Sequence, residues 1–391
     1  MKKLIAVLMT IILTVSLAPG SVAKAEVFTY KGGAAESEAV KTLKPNLCMT
    51  EKDTEKDEGT YEIVFPDDEE ILIMPVEIRD KGGLYCTITE QNTNYYSISA
   101  DLYKDKACSE RIGYSIYLSS GEMSETRDIP VGEAGTYYLK LEAIKKRDTG
   151  TISFLLQLTL FSGEDQELKK DKAILSYQDY EGPDVTYKIV VNTSGILTLN
   201  FGTDYEYGFY GKIQLLDKDK KGLAKAKSIF APQNEEGEYL DAEKFYAVNK
   251  GTYYVKVDTS VGLYNIKYSF SEVKDPAGAK RDKAKALKLG DSAVKGICTV
   301  TDKTTDVDWY SFKLTSSKSV TITISAKTDE NLKYDILDSK GNSLYYGSRI
   351  IWDGEGNVVL KSDGKLSKGT YYIKIFKYDK TSSGYYTIKV K

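Results

Sequence analysis

The chain of 391 residues contains no histidine. That absence removes Ser-His-Asp and Cys-His nucleophile pairs, the HExxH zinc motif and the proximal ligand of haem, because each needs an imidazole. Proline is scarce, at 8 residues, and tryptophan occurs only 2 times. Neither sign of charge dominates: 54 Lys and Arg face 57 Asp and Glu, for a net charge of −3. A nucleic-acid partner needs a basic surplus to meet phosphate, so none is expected. The sequence also lacks an apolar run of the ~20 residues that cross a bilayer. Its longest, Leu4 to Leu17, has 14 residues. Lys2 and Lys3 precede this run, and Pro19, Gly20, Ala23 and Ala25 follow it. This layout predicts a cleavable secretory signal over residues 1–25, with a mature chain that begins at Glu26, leaves the cell and does not insert into a membrane. The four cysteines, Cys48, Cys86, Cys108 and Cys298, match neither zinc-site nor CxxC spacing. In an oxidising exterior a Cys86–Cys108 disulfide and a set of buried free thiols are both open readings.

What the sequence does have is tyrosine, 31 residues against 11 phenylalanines, together with 31 glycines. Tyrosine favours half-buried sheet surfaces, with its ring on the core and its hydroxyl towards water, so the composition predicts an all-β protein. A repeat organises it. Gly-Thr-Tyr-Tyr followed by apolar-Lys-apolar begins at Gly135, Gly251 and Gly369, at spacings of 116 and 118 residues. About thirty residues before each copy an apolar strand ends in an aspartate, Asp105, Asp217 or Asp338, and after each copy come a glycine and a closing strand. Short alternating strands separated by turn residues suit antiparallel β-sandwiches, and this period suits tandem domains rather than a solenoid. The expected organisation is a signal at 1–25 and β-sandwich modules at 26–164, 165–272 and 273–391. Both junctions are polar, and the second holds Asp275-Pro276 followed by a Lys/Ala run with the composition of a short helix.

Alternation along each motif places Tyr137, Leu139 and Leu141 on the core side, with Tyr253, Val255, Val257 and Tyr371, Ile373, Ile375 as their counterparts. The glycine is expected to provide a tight turn before the strand. The acidic runs at 53–58 and 67–70 read as solvated loop charge rather than as a carboxylate pair for catalysis. Aromatic clusters are better candidates for a function. Tyr205, Tyr207 and Tyr210 lie within six residues around Gly208, and Tyr345, Tyr346 and Trp352 follow the corresponding strand of the third module. Flat apolar rings on a rigid sheet can hold sugars or extended peptides at little entropic cost.

The third module runs from Gly296 through Asp306-Val307-Asp308-Trp309-Tyr310-Ser311-Phe312 and Asp338-Ser339-Lys340-Gly341 to Gly369-Thr370-Tyr371-Tyr372 and Tyr386. Over residues 290–391 this resembles the bacterial pre-peptidase C-terminal domain, related to the collagen-binding domains of secreted collagenases, and the upstream modules look like degenerate copies. The resemblance implies a jelly-roll-like sandwich, secretion and a binding or accessory role without catalysis. It also raises one cofactor, calcium, with Asp306 and Asp308 matching the family's strand-entry carboxylates and Asp302 close by as a further candidate ligand. No other cofactor is expected. The resulting expectation is a non-enzymatic, secreted protein whose partner is an extracellular polymer, either matrix protein or polysaccharide. The competing readings are an accessory or spacer protein with no ligand of its own, and a hydrolase that uses carboxylates alone.

Overall fold

The computed structural model describes residues 26–29, 42–50, 52–53, 59–65, 71–146, 151–179, 183–203, 207–345, 347–362 and 364–391. The segment expected to be a signal, residues 1–25, lies outside them. The described residues form six largely antiparallel sheets and no α-helix. The Lys/Ala run gives only a single 3-10 turn, Arg281–Lys283, before the strand Lys285–Leu287 pairs with Val307–Leu314.

The sheets face each other in pairs. In the second pair a five-stranded sheet runs Gln166–Glu167, Val185–Val191, Gly251–Asp258, Tyr210–Leu216, Lys227–Phe230, opposite a four-stranded sheet of Ile174–Gln178, Gly262–Glu272, Gly195–Gly202 and Ala242–Val248. The third pair repeats this order. Lys285–Leu287, Val307–Leu314, Gly369–Lys377, Leu332–Leu337 and Arg349–Ile351 face Val294–Cys298, Ser383–Val390, Thr321–Asp329 and Gly354–Lys361. The first pair is a variant. Its four-stranded sheet of Ile71–Ile78, Gly135–Lys145, Tyr95–Tyr103 and Arg111–Ser119 carries the motif, and a six-stranded sheet centred on Ile152–Ser162 and Gly82–Glu90 covers it. Each pair encloses its own cluster of buried apolar side chains.

The repeated motif sits at the same place in all three sandwiches, and its first tyrosine is buried each time. That ring turns back along the chain. The hydroxyls of Tyr137, Tyr253 and Tyr371 donate to the carbonyls of Glu133, Asn249 and Ser367 at 2.9, 2.8 and 2.9 Å, each four residues earlier. The burial is thus paid with one satisfied polar group. The motif glycine is not a turn residue, which corrects the expectation: none of Gly135, Gly251 and Gly369 adopts a positive φ. It lies beneath the ring instead, and at Gly251 a Cβ would come within 3.3 Å of Tyr253. The second tyrosine faces outward but is half-covered. The Arg281 guanidinium lies 4.4 Å from the Tyr372 ring and donates to the Asp338 and Ser339 carbonyls.

Linkers are not all that joins the sandwiches. Leu175 and Tyr177 of the second pack on Cys48 and Phe161 of the first, and the Tyr177 ring lies so close to Gly83 that a Cβ there would sit 2.4 Å away. Between the second and third, Ile196 and Ala247 meet Ile297, and beside them Lys244 Nζ lies 2.6 Å from Asp329 Oδ1 with both side chains buried. The polar linker sequences gave no sign of these contacts, because sheet faces rather than linkers supply them. The Cys86–Cys108 disulfide does not form, and both remain thiols. Cys86 is sealed in the core of the first sandwich, where burial pushes its thiol up to about 12, while Cys108 lies in a turn at φ 56°.

Candidate functional site

Two places gather the residues singled out in the sequence. The first is the open edge of the second sandwich. Tyr205 lies outside the described residues, as does Tyr346. Tyr207 projects into solvent at 60% exposure. Gly208 then takes φ +68°, and a side chain there would strike Tyr239 at 2.8 Å. Tyr210 opens the strand Tyr210–Leu216, half-buried against the core, with its hydroxyl 2.8 Å from Ser260 Oγ and its carbonyl accepting from Thr259 Oγ1 at 2.5 Å. Directly across the hairpin stands Phe230, 71% exposed. One row along, Lys212 pairs with Ser228 on one side and Asp258 on the other. Tyr210, Lys212, Ser228, Phe230, Asp258 and Ser260 line a hollow of about 440 Å³ with aromatic and polar walls, and Tyr207 lies outside it. Phe230 was missed in the sequence because the short strand Lys227–Phe230 has only four residues, too few for an alternation signal. In the third sandwich Trp352 is 68% exposed, whereas Tyr345 packs against the core beside Arg349.

The second place is a cleft of about 530 Å³ where the second and third sandwiches meet, lined by Asn249 and Glu272 from one and by Asp275, Asp302, Asp306 and Asp308 from the other. Asp308 has the parity of Tyr310 and Phe312, so its strand aims a carboxylate at the core. The Tyr386 hydroxyl donates to it at 2.5 Å, and Cys298 Sγ lies 3.7 Å away. Burial, reinforced by the Asp275 charge, pushes its pKa up to about 7. Burial also raises Asp275, which accepts from the amide of Ala277 at 2.9 Å. Asp302 accepts from Thr299 N at 2.6 Å and Thr299 Oγ1 at 2.7 Å, and Asp306 accepts from Lys303 N at 2.9 Å. Calcium asks for six to eight oxygens, several of them carboxylate. Here Asp302 and Asp306 brace the backbone of their own turns and Asp308 serves Tyr386. Among the described residues no group of three or more acidic or thiol side chains is placed to hold a metal ion. As arranged, these residues do not fit calcium.

The class defined by this framework is an all-β protein of jelly-roll-like sandwiches. Within it, residues 306–377 match the family model of the bacterial pre-peptidase C-terminal domain, in line with the resemblance read from the third module. No curated protein matches the chain. Among solved structures, the pre-peptidase C-terminal domain of a collagenase from Bacillus anthracis is similar at 19% identity, covering 30% of this chain and 100% of that one, with a TM-score of 0.23. A triple jelly-roll turret protein of an archaeal virus is similar at 11% identity, covering 83% of this chain and 84% of that one, with a TM-score of 0.19. No helix among the described residues is long and apolar enough to cross a membrane.

Proposed function

We propose that this is an exported, non-catalytic protein that attaches to an extracellular polymer, a matrix protein or a polysaccharide, through exposed aromatic rings. The observation that carries this reading is Phe230, a large apolar side chain held out in solvent on a sheet edge, opposite a Tyr210 that two hydrogen bonds fix in place. Such a pre-set ring loses little freedom on stacking. Lys212, Ser228 and Asp258 beside it offer the donors and acceptors that a hydroxyl-rich or peptidic chain requires. Export is supported by the signal-like residues 1–25 and by the family of residues 306–377, whose members accompany secreted peptidases. The lack of histidine and the engagement of the cleft carboxylates in turns and hydrogen bonds argue against catalysis.

The test is an array of matrix proteins and glycans probed with the mature chain. The double variant Tyr207→Ser with Phe230→Ser should lose ten-fold or more in affinity, about 1.4 kcal/mol per decade, while its melting temperature holds. Tyr210 is left out of this variant because it supports the core. The packed junctions favour a second reading, that of a rigid spacer in a larger surface assembly. Failure to bind any arrayed polymer would point to that role.

A further inference from the structure

The loop of residues 299–306 carries two of the three aspartates considered as calcium ligands, yet its carbonyls converge on a cation that the chain itself supplies. Lys377 ends the strand Gly369–Lys377 and is 2% exposed. Its Nζ lies 3.1 Å from the carbonyl oxygen of Thr299, 3.0 Å from that of Val300 and 3.0 Å from that of Asp302. An ammonium group has three protons and no acceptor, so three carbonyls satisfy it completely. Burial lowers the Lys377 pKa, and the nearby charges of Asp302, Asp379 and Asp306 offset part of that by favouring the protonated form. A buried lysine without such partners would be strongly disfavoured, and a loop whose carbonyls converge without a donor would be equally costly. Each therefore accounts for the other. The corresponding positions of the other two sandwiches, eight residues past the motif glycine, hold Thr259 and Ala143, neither of which is a cation.

We propose that the Lys377 ammonium is the built-in cation of the third sandwich, closing the 299–306 loop in place of a calcium ion. The carboxylates follow the same logic. With the loop already organised by a tethered charge, Asp302 and Asp306 are free to cap backbone amides, and Asp308 to accept from Tyr386. The third sandwich should then be indifferent to metal supply, unlike a domain whose fold is stapled by an ion that a chelator can remove.

Both tryptophans, Trp309 and Trp352, belong to the third sandwich, so tryptophan fluorescence during heating of the mature chain reads that sandwich selectively. The wild-type melting temperature should be the same in millimolar calcium chloride, in a chelator, and in sodium chloride of matched ionic strength. Lys377→Ala, which removes the charge and leaves room, should melt lower by ~5 °C or more, the scale expected for losing one buried charged partner from a domain of this size. Calcium should restore part of that loss, and matched sodium chloride should not. A wild-type melting temperature that rises with calcium would overturn the proposal. So would a Lys377→Ala variant that melts like the wild type, or one that calcium helps no more than sodium. If Lys377→Ala does not fold, titration calorimetry of the wild-type chain with calcium chloride still decides, since heat of binding at the loop would sink the idea.

Discussion

The second and third sandwiches share strand order and register, yet one has a plain interior and the other an acidic one. In each, two tyrosine hydroxyls meet across the core, Tyr187 with Tyr264 at 2.6 Å and Tyr310 with Tyr386 at 3.1 Å. Around that pair four positions differ. Val185 becomes Asp308, Ser176 becomes Gly296, Gln178 becomes Cys298 and Thr259 becomes Lys377, as the strand registers align them. In the second sandwich Gln178 Oε1 accepts from the amide of Thr259 at 3.1 Å, a neutral bond that ties the loop to the central strand. In the third, Lys377 makes the tie with a full charge. One scaffold therefore supports either a neutral or an ionic closure at the end that faces its neighbour. The acidic cleft is an exchange of four side chains and not a different fold.

The shared frame can be broken first. Tyr371→Ala and Tyr253→Ala should each destabilise their own sandwich by ~3–5 kcal/mol, the range for truncating a large buried aromatic. Thermal melts should show the two losses within a factor of two of each other. A loss at Tyr371 several times that at Tyr253 would mean that the two interiors are not equivalent supports.

The buried carboxylate comes next. Asp308 titrates at about 7 in the folded chain. In the unfolded chain its pKa is near 3.9. A raised folded-state pKa means that the folded form holds its proton more tightly, so stability is greatest at low pH. It falls as pH rises from about 4 to 7 and is level above that. Tryptophan-monitored melting should therefore show the third sandwich losing on the order of 4 kcal/mol across that window from this group. Asp308→Val, which installs the residue of the second sandwich, should flatten the profile. A wild-type profile that rises with pH over the same interval would contradict the assignment.

The smallest expected effect comes from exchanging Gly296. A Cβ there would stand 2.4 Å from the Tyr386 ring and 2.5 Å from the Tyr310 hydroxyl. Gly296→Ser should cost about 2 kcal/mol through overpacking. The reciprocal change Ser176→Gly should cost less, because it removes a small side chain, one that reaches the Ser162 carbonyl at 3.3 Å and touches the tyrosine pair, without forcing any ring to move. Chemical denaturation of the two variants would separate these values.

Much of the frame was legible in the sequence, for an identifiable reason. Gly-Thr-Tyr-Tyr recurs at nearly constant spacing, and period-two alternation assigns Tyr137, Leu139, Leu141 and their counterparts to the core, where they are found. The three aspartates after the preceding strand were also visible, and two of them make the same turn. The Asp217 carboxylate accepts the amides of residues 219 and 221, and that of Asp338 the amides of residues 340 and 342. What could not be read depends on partners far along the chain. Lys377 looks like one of many lysines until residues 299–302 are brought to it from more than seventy positions away. Phe230 resembles loop sequence until its hairpin places it opposite Tyr210. The aspartates 302, 306 and 308 were singled out together, but local spacing could not show that turns and a tyrosine already occupy them.

The packed junction between the second and third sandwiches also determines how the chain comes apart. Ile196 and Ala247 lie on one unit and Ile297 on the other, with the Lys244–Asp329 pair sealed beside them. Unfolding either unit strips this cover from its neighbour, exposing apolar side chains and removing the partner of its charge. The survivor is weaker than it was inside the intact chain. Such a chain behaves as a row of coupled units, in which each melting step includes a nearest-neighbour contribution. A proteolytic cut that destroys one sandwich therefore lowers the barrier to losing the next, and damage spreads along the row.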